Sequence, residues 1–306
     1  MALSGEQWTI SYAGNDAVIA SVGGGVRQFT VDGEHYIDGY EDDELAFGSA
    51  GHVLAPWPGR LDRGEYTFGS KTYRLPWNEP SNQCAIHGLV GWLRWQAADV
   101  SDSAVTLECA LPAQPGYPFP LVLRTRWSVG PYGLRAAHMV SNVGVEPCPF
   151  GLGVHPYLRL PQGTPDTWTL RVPAKQQVVT DERMIPTGET AAAAFGEATT
   201  IGDTILDTTY GDLERGADRQ ARVRVTTQDN SHGVDMWVDE SFGWLQLYTG
   251  DTLEAERRRR SVAVEPMTCP ANAFNSGTGL VTLQPGELWS GTWGIQAHKV
   301  AGSGRT

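Results

Sequence analysis

Two residues far apart in the sequence, His155 and Glu265, could do acid–base chemistry together. His155 lies in GLGVHPYL, an apolar and β-favouring run with no charged neighbour, and Glu265 is the lone carboxylate in VAVEPMTCPANAFN. A buried imidazole needs a partner or a role, and a carboxylate that faces it across a cleft would make an acid–base pair. The alternative is structural: His155 is a hydrogen-bonded core histidine and Glu265 ends a strand.

Three further polar residues stand in apolar or Gly/Pro-rich surroundings, and each has an ordinary structural explanation. Arg60 in APWPGRLDRGEY is compatible with a loop salt bridge, His87 in NQCAIHGLVGW with a turn, and Asp207 in TILDTTY with a cap. The sequence has no GxSxG, HExxH or GxxxxGK motif and no GxGxxG motif after a predicted strand. That absence weakens hydrolase, zinc-protease and nucleotide-binding interpretations.

The composition restricts the class of partner. With 23 basic and 35 acidic residues the formal charge is −12, which argues against nucleic acid or an anionic membrane as the main partner. The N-terminal stretch MALSGEQWTI has no signal-peptide pattern, and no membrane span is predicted. A cytoplasmic location and a small-molecule partner are therefore expected. The four cysteines form no CxxC pair and are predicted to be buried free thiols: Cys84, Cys109, Cys148 and Cys269.

Short runs rich in Val, Thr, Trp and Tyr, separated by turn signals, predict an all-β protein. We expect a single domain over residues 1–306, folded as a large antiparallel β-sandwich whose concave face is open for a ligand. Helix should account for less than about a tenth of the chain. Asp32-Gly33 and Gly69-Ser70 are predicted hairpin turns, and the Ala-rich piece Ala191 to Phe195 is a candidate helical turn.

Taken together and in this order, the polar segments resemble the aldose 1-epimerase (galactose mutarotase-like) family over residues 48–286. The order of the segments is specific, although no single segment is. The matching segments are PGRLDRGEYTFGSKTYRLPWNEPSNQCAIHGLVGW with Arg60 and His87, SNVGVEPCPFGLGVHPYLRL with His155, ILDTTY with Asp207, and VAVEPMTCPANAFNSG with Glu265.

The resemblance implies a galactose mutarotase-like supersandwich that interconverts the α and β anomers of a free hexose by opening its ring. No metal or organic cofactor is expected, and the protein is expected to be a monomer or homodimer. Glu265 would be the base at the anomeric hydroxyl and His155 the acid at the ring oxygen, approaching from opposite sides. Arg60, His87 and Asp207 would bind the sugar, whose C–H face would stack on Trp and Tyr side chains. Because burial would strip His155 of its proton, Asp207 and Glu265 are expected to hold its charge.

Three alternatives remain open at this point. An epimerase of an anionic sugar, such as a sulfosugar or a hexose 6-phosphate, should show at least two Arg or Lys near C6, with Arg60, Arg63 and Arg94 favoured. The arginine run 257–260 is either a solvated hairpin tip or a cationic rim for such a substrate. A non-catalytic carbohydrate-binding sandwich would need no acid–base pair. A glycoside hydrolase would use two carboxylates, Asp207 and Glu265, about 5–10 Å apart.

Overall fold

The structure, a computed structural model, describes residues 2–299 and consists mainly of β-strands. About 50% of the residues are in strands and about 4% in helices, so the predicted scarcity of helix is confirmed. The first thirteen strands are β1 (Gln7–Tyr12), β2 (Asn15–Ala20), β3 (Val26–Val31), β4 (Glu34–His35), β5 (Val53–Leu54), β6 (Arg60–Asp62), β7 (Glu65–Phe68), β8 (Lys71–Arg74), β9 (Cys84–Ile86), β10 (Gln96–Ser101), β11 (Ala104–Leu111), β12 (Leu121–Gly130) and β13 (Gly133–Asn142).

The second half of the chain adds fourteen strands and the single α-helix of the described residues. The helix α1 is one turn long (Ala273–Ser276), and short 3-10 helices cover Phe47–Ser49, Pro80–Asn82 and Pro165–Thr167. The remaining strands are β14 (Cys148–Phe150), β15 (Gly153–Val154), β16 (Tyr157–Leu158), β17 (Thr169–Arg171), β18 (Ala174–Thr180), β19 (Pro186–Ala192), β20 (Thr199–Thr200), β21 (Asp207–Leu213), β22 (Ala221–Thr226), β23 (His232–Val238), β24 (Trp244–Tyr248), β25 (Val262–Met267), β26 (Val281–Leu283) and β27 (Leu288–Lys299).

Two large antiparallel sheets form the sandwich. The nine-stranded sheet has the order β10-β11-β12-β13-β27-β23-β22-β17-β20, and the eight-stranded sheet has the order β19-β18-β21-β24-β25-β15-β5 with β16 also paired to β25. In β12 and β13 every second residue is buried, as expected when one face of a sheet packs on the core. The predicted all-β antiparallel sandwich is confirmed.

The eight-stranded sheet differs because its outer face is also partly covered. All six residues of β25 are buried. Val262 and Val264 belong to the main hydrophobic core, whereas the alternating residues Ala263, Glu265 and Met267 point to the opposite, concave face. A lone carboxylate in an apolar strand is therefore explained by a second face that lines a cavity.

The local predictions have mixed outcomes. The turns Asp32-Gly33 and Gly69-Ser70 join β3 to β4 and β7 to β8 as predicted, and all four cysteines are buried and free. The helical turn predicted for Ala191 to Phe195 is wrong, because Ala191 and Ala192 end strand β19 and pair with β18. The cross-strand hydrogen bonds to β18 outweigh the weak helix propensity of alanine.

The interpretation of the arginine run 257–260 as a solvated hairpin tip holds only in part: Arg258 and Arg260 are exposed in the loop between β24 and β25, whereas Arg257 and Arg259 are half-buried. Arg257 pairs with Glu44 at 2.9 Å and lies over the ring of Phe47, with its guanidinium carbon 4.6 Å from the ring centre. Arg259 makes ion pairs of 2.7 and 2.8 Å with two aspartates, Asp166 and Asp251. The run therefore ties the β24–β25 loop to the rest of the fold.

The single domain over residues 1–306 stays a prediction. One cluster of buried side chains takes members from Ile10 near the start to Ile295 near the end of the described residues. Within residues 2–299 no helix is long and apolar enough to cross a membrane.

Candidate active site

Three neighbouring strands of the eight-stranded sheet supply the floor of the site. In the register of β21, β24 and β25, Asp207 lies opposite Tyr248, Thr209 opposite Gln246, and Gln246 opposite Glu265. Because side chains alternate along a strand, these five residues share the concave face while their sequence neighbours point to the core. The period of two thus collects polar side chains from three separate parts of the sequence.

A small two-stranded sheet supplies one wall. Strand β6 begins at Arg60, which lies opposite Ile86 of β9. His87 follows directly in the left-handed region, with φ 64°, and its Nδ1 accepts a hydrogen bond of 3.3 Å from the backbone N–H of Gly59. Burial lowers the pKa of His87 well below its usual value, with His155 and Arg60 adding to the effect. A neutral His87 that accepts at Nδ1 carries its proton on Nε2 and is a hydrogen-bond donor there.

His155 occupies the short gap between β15 and β16. Its backbone is fixed on both sides, since its N–H donates to the carbonyl of His52 at 3.1 Å and its carbonyl accepts from Gly51 at 2.8 Å. The imidazole stacks on Tyr157, with ring centres 4.9 Å apart, and its edge meets His87 at 5.4 Å. These contacts hold the ring over the sheet floor.

All five residues singled out in the sequence line one cavity with a volume of about 260 Å³. They are Arg60, His87, His155, Asp207 and Glu265. The structure thus brings them together, while their individual roles stay predictions. The cavity also has lining side chains that sequence reasoning missed: Glu79, Tyr157, Thr180, Met184, Thr209, Gln246 and Tyr248.

Two of the missed residues, Gln246 and Tyr248, lie in a strand whose sequence pattern predicts their orientation. In the predicted strand WLQLY, alternation separates Leu245 and Leu247 from Gln246 and Tyr248, and the core burial of the two leucines confirms that division. Gln246 could therefore have been placed on the cavity face from the sequence. The expected tryptophans are absent from the described lining, where the aromatic side chains are Tyr157 and Tyr248.

His155 and Glu265 are in direct contact. Nε2 of His155 lies 3.3 Å from Oε1 of Glu265, and the two side chains are 6% and 3% exposed. In the described part of the chain neither His155 Nδ1 nor Glu265 Oε2 has a hydrogen-bond partner. We expected the two groups on opposite sides of a sugar carbon. The structure instead places them in direct contact with each other.

Burial makes both members of this pair favour their neutral forms. It lowers the pKa of His155 to about 3 and raises the pKa of Glu265 well above its usual value, with a further increase from the Asp207 carboxylate. This direction is opposite to the expectation that Asp207 and Glu265 keep His155 charged, because desolvation of the buried imidazole is the main cause of the shift. Both shifts favour a neutral imidazole beside a protonated carboxyl group, a pair that holds one proton between the carboxyl oxygen and Nε2.

A hydrogen-bond network crosses the cavity beside this pair. Arg60 donates two hydrogen bonds to Glu79, of 2.9 and 3.0 Å. Its Nη2 lies 3.6 Å from the Asp207 carboxylate. The Asp207 carboxylate also accepts from Gln246 at 2.5 Å, and Gln246 in turn accepts from Thr209 at 2.5 Å. Burial raises the pKa of Asp207, against the lowering effects of Arg60 and Gln246. The network fixes donors and acceptors along one edge of the cavity.

Among the described residues, Arg60 is the one cationic side chain that lines the cavity, and neither Arg63 nor Arg94 does. The described lining therefore lacks the second cation that was expected for an anionic substrate. The described lining also carries three carboxyl groups, those of Glu79, Asp207 and Glu265, of which the first two lie beside Arg60. Within residues 2–299 no group of three or more His, Cys, Asp or Glu is arranged to hold a metal ion.

The sandwich and its polar cavity define a galactose mutarotase-like protein. The family model described as aldose 1-epimerase matches residues 6–296, so the chain belongs to the aldose 1-epimerase family. Membership supports an enzyme of the isomerase class.

Relatives from several organisms agree with this assignment. The chain is 34% identical to the uncharacterized protein YihR of Escherichia coli, over 91% of this chain and 90% of that protein. It is 23% identical to the galactose mutarotase of Mus musculus, over 75% and 70% of the two chains. A solved GalM/aldose epimerase homologue from C. elegans shares the fold, with a TM-score of 0.85, 17% identity, and 97% and 99% of the two chains covered.

Proposed function

We propose that this protein is an aldose 1-epimerase that interconverts the α and β anomers of a free, neutral hexose by acid–base ring opening. The observation that carries the proposal is the contact of 3.3 Å between His155 and Glu265 inside a cavity lined by hydrogen-bonding side chains. A volume of about 260 Å³ suits one sugar ring, since sites for drug-sized ligands begin at roughly 300 Å³.

The reaction needs one proton removed and one supplied. As O1–H of the sugar loses its proton, the C1–O1 bond gains carbonyl character, the C1–O5 bond breaks, and O5 takes up a proton. The open aldehyde rotates about C1–C2 and closes on its other face by the reverse transfers. A pair that holds one proton and has one empty site, as His155 and Glu265 do, is balanced for this cycle because its proton count is unchanged overall.

We assign Glu265 as the base at O1 and His155 as the acid at O5. When O1–H of the sugar donates to Glu265, the carboxylate form is stabilised, and the shared proton moves to Nε2 of His155. Arg60, His87 and Asp207 are the proposed sugar-binding residues. His87 offers its Nε2–H, and Asp207 accepts from hydroxyls while Gln246 and Arg60 hold it in place.

The charge of the cavity favours a neutral sugar over the sulfosugar or hexose 6-phosphate alternative. An anionic substrate should meet at least two cations, whereas the described lining has one, Arg60, already paired with Glu79 and Asp207. The proposed partner is accordingly a small-molecule sugar. The cytoplasmic location, the absence of a nucleic-acid or membrane partner and the monomeric or homodimeric state remain predictions.

The test is to dissolve pure α-glucose or α-galactose and follow the anomeric proton signals by NMR with and without the protein. We expect a faster approach to the same anomeric equilibrium, proportional to enzyme concentration. No acceleration with any aldose would favour a non-catalytic binding sandwich. Release of a reducing sugar from an aryl glycoside would instead favour the hydrolase alternative, with Asp207 and Glu265 as its carboxylates.

A further inference from the structure

Glu79 occupies the guanidinium fork of Arg60. Nε of Arg60 donates to Oε2 of Glu79 at 2.9 Å, and Nη2 donates to Oε1 at 3.0 Å, so both carboxylate oxygens are engaged. This two-pronged geometry is the one with which arginine also recognises phosphate, sulfonate and carboxylate groups on ligands. In this cavity the protein's own carboxylate, that of Glu79, already occupies the guanidinium of Arg60.

The backbone around Glu79 holds the carboxylate in this position. Glu79 precedes the 3-10 helix Pro80–Asn82, and it exchanges two backbone hydrogen bonds with Cys84, each of 3.1 Å. Cys84 begins β9, which pairs with the strand that carries Arg60. Because both partners are attached to the same small sheet, the ion pair is positioned before any substrate arrives.

The pair also sets the charge that a ligand meets. Among residues 2–299 the lining carries the carboxyl groups of Glu79, Asp207 and Glu265 against one guanidinium, that of Arg60. Glu79 and Asp207 together carry two negative charges against the one positive charge of Arg60, so the net charge of the three is negative. An anionic ligand in the cavity would make it more negative. In a partly dehydrated site such repulsion is stronger than in water.

We propose that Glu79 is a specificity-determining residue, which by filling the fork of Arg60 makes the cavity select neutral aldoses and reject aldoses that carry a phosphate, sulfonate or carboxylate. This inference rests on the proposed epimerase function. It assigns Glu79 no part in proton transfer, because its carboxylate is bound to Arg60.

The test compares kcat/KM for glucose, glucose 6-phosphate, glucuronate and 6-O-methylglucose, measured by exchange NMR between the anomers. The neutral 6-O-methyl sugar separates exclusion by size from exclusion by charge. We expect the wild-type protein to favour the neutral sugars over both anions. In Glu79→Gln the ratio of kcat/KM for anion to that for glucose should rise by ~10-fold or more, since one negative charge is lost and the fork is partly freed.

Glu65→Gln is the matched control. It removes the carboxylate of another arginine pair, Glu65 with Arg74 at 2.6 Å, which is exposed and does not line the cavity. The control should leave the ratio unchanged. A measurement on the wild-type protein covers the case in which Glu79→Gln does not fold: raising the salt concentration from about 0.05 to about 0.5 M should screen the repulsion and raise the ratio.

The outcomes separate the two proposals. No acceleration of any aldose by the wild-type protein would overturn the proposed function and this inference with it. Normal mutarotation of glucose with the same ratio in Glu79→Gln and wild type would overturn the inference alone. So would a wild-type preference for the anions, or a ratio that salt does not change.

Discussion

His138 and His155 are both buried histidines, yet only one of them is placed to do chemistry. His138 lies in β13 of the nine-stranded sheet and is 1% exposed, and His155 lies on the concave side of the eight-stranded sheet and is 5% exposed. Burial lowers the pKa of each to about 3. Burial and a perturbed pKa therefore do not distinguish a structural histidine from a candidate catalytic one.

Their hydrogen bonds do distinguish them. Both ring nitrogens of His138 have partners: Nε2 accepts from the indole N–H of Trp293 at 2.9 Å, and Nδ1 lies 2.8 Å from the hydroxyl oxygen of Thr125. His155 has Glu265 beside Nε2 and no partner for Nδ1 among residues 2–299. A neutral imidazole satisfied at both nitrogens is locked in one tautomer, whereas the imidazole of His155 retains capacity to exchange a proton.

The largest effect should come from removing the acid–base pair. Glu265→Gln and His155→Asn should each lower kcat for mutarotation by about 10² or more with KM little changed, as expected for groups used mainly in the transition state. Rates would be measured by NMR on a pure anomer. His138→Asn is the matched control and should keep kcat within about threefold, because it lies outside the cavity lining. Near wild-type rates in both cavity variants would contradict the assignment of His155 and Glu265 as the acid–base pair.

The sequence predicted the architecture well because strand alternation is a local property. Leu134, Ala136, His138 and Val140 recur with a period of two, and all four are buried as that period requires. What it could not supply is the partner of each buried polar residue. Thr125 faces His138 only through the register of β12 and β13.

The candidate site shows the same limit. His155 stands in an apolar run, but His138 does too, in LRAAHMVSN, so the run alone did not single out a functional histidine. The surroundings of the five residues that line the cavity made them candidates, and the resemblance to a family gave them their expected roles. Glu79 was missed because its approach to Arg60 depends on a 3-10 turn and on the pairing of β6 with β9, neither of which has a sequence period.

A matched pair of substitutions tests the difference in hydrogen bonding through stability. His138→Phe keeps the ring shape but leaves the Trp293 N–H and the Thr125 hydroxyl unpaired in the core, and should cost about 1–3 kcal/mol of unfolding free energy. His155→Phe leaves one buried group, the Glu265 carboxyl, without its partner, and should cost less unfolding free energy than His138→Phe, which leaves two. Urea unfolding at neutral pH measures both values. Equal losses would show that His155 is as structural as His138.

The smallest expected effect is the response of activity to mild acid. A histidine acid with an ordinary pKa of about 6.5 changes charge as the pH falls from 7 to 5. The pKa of His155 is lowered to about 3 by burial, so over that interval the pair with Glu265 gains no second proton and keeps one proton in total. We therefore expect kcat/KM to change by less than about threefold between pH 7 and 5, with the acidic limb close to pH 3.

Because the two groups are coupled, the apparent pKa of the acidic limb belongs to the pair and not to one residue. The shift of that limb in Glu265→Gln would show whether the pair is its source. A tenfold fall in kcat/KM per pH unit beginning near 6.5, with the protein still folded, would contradict the shared-proton description and show that His155 titrates as an exposed histidine does.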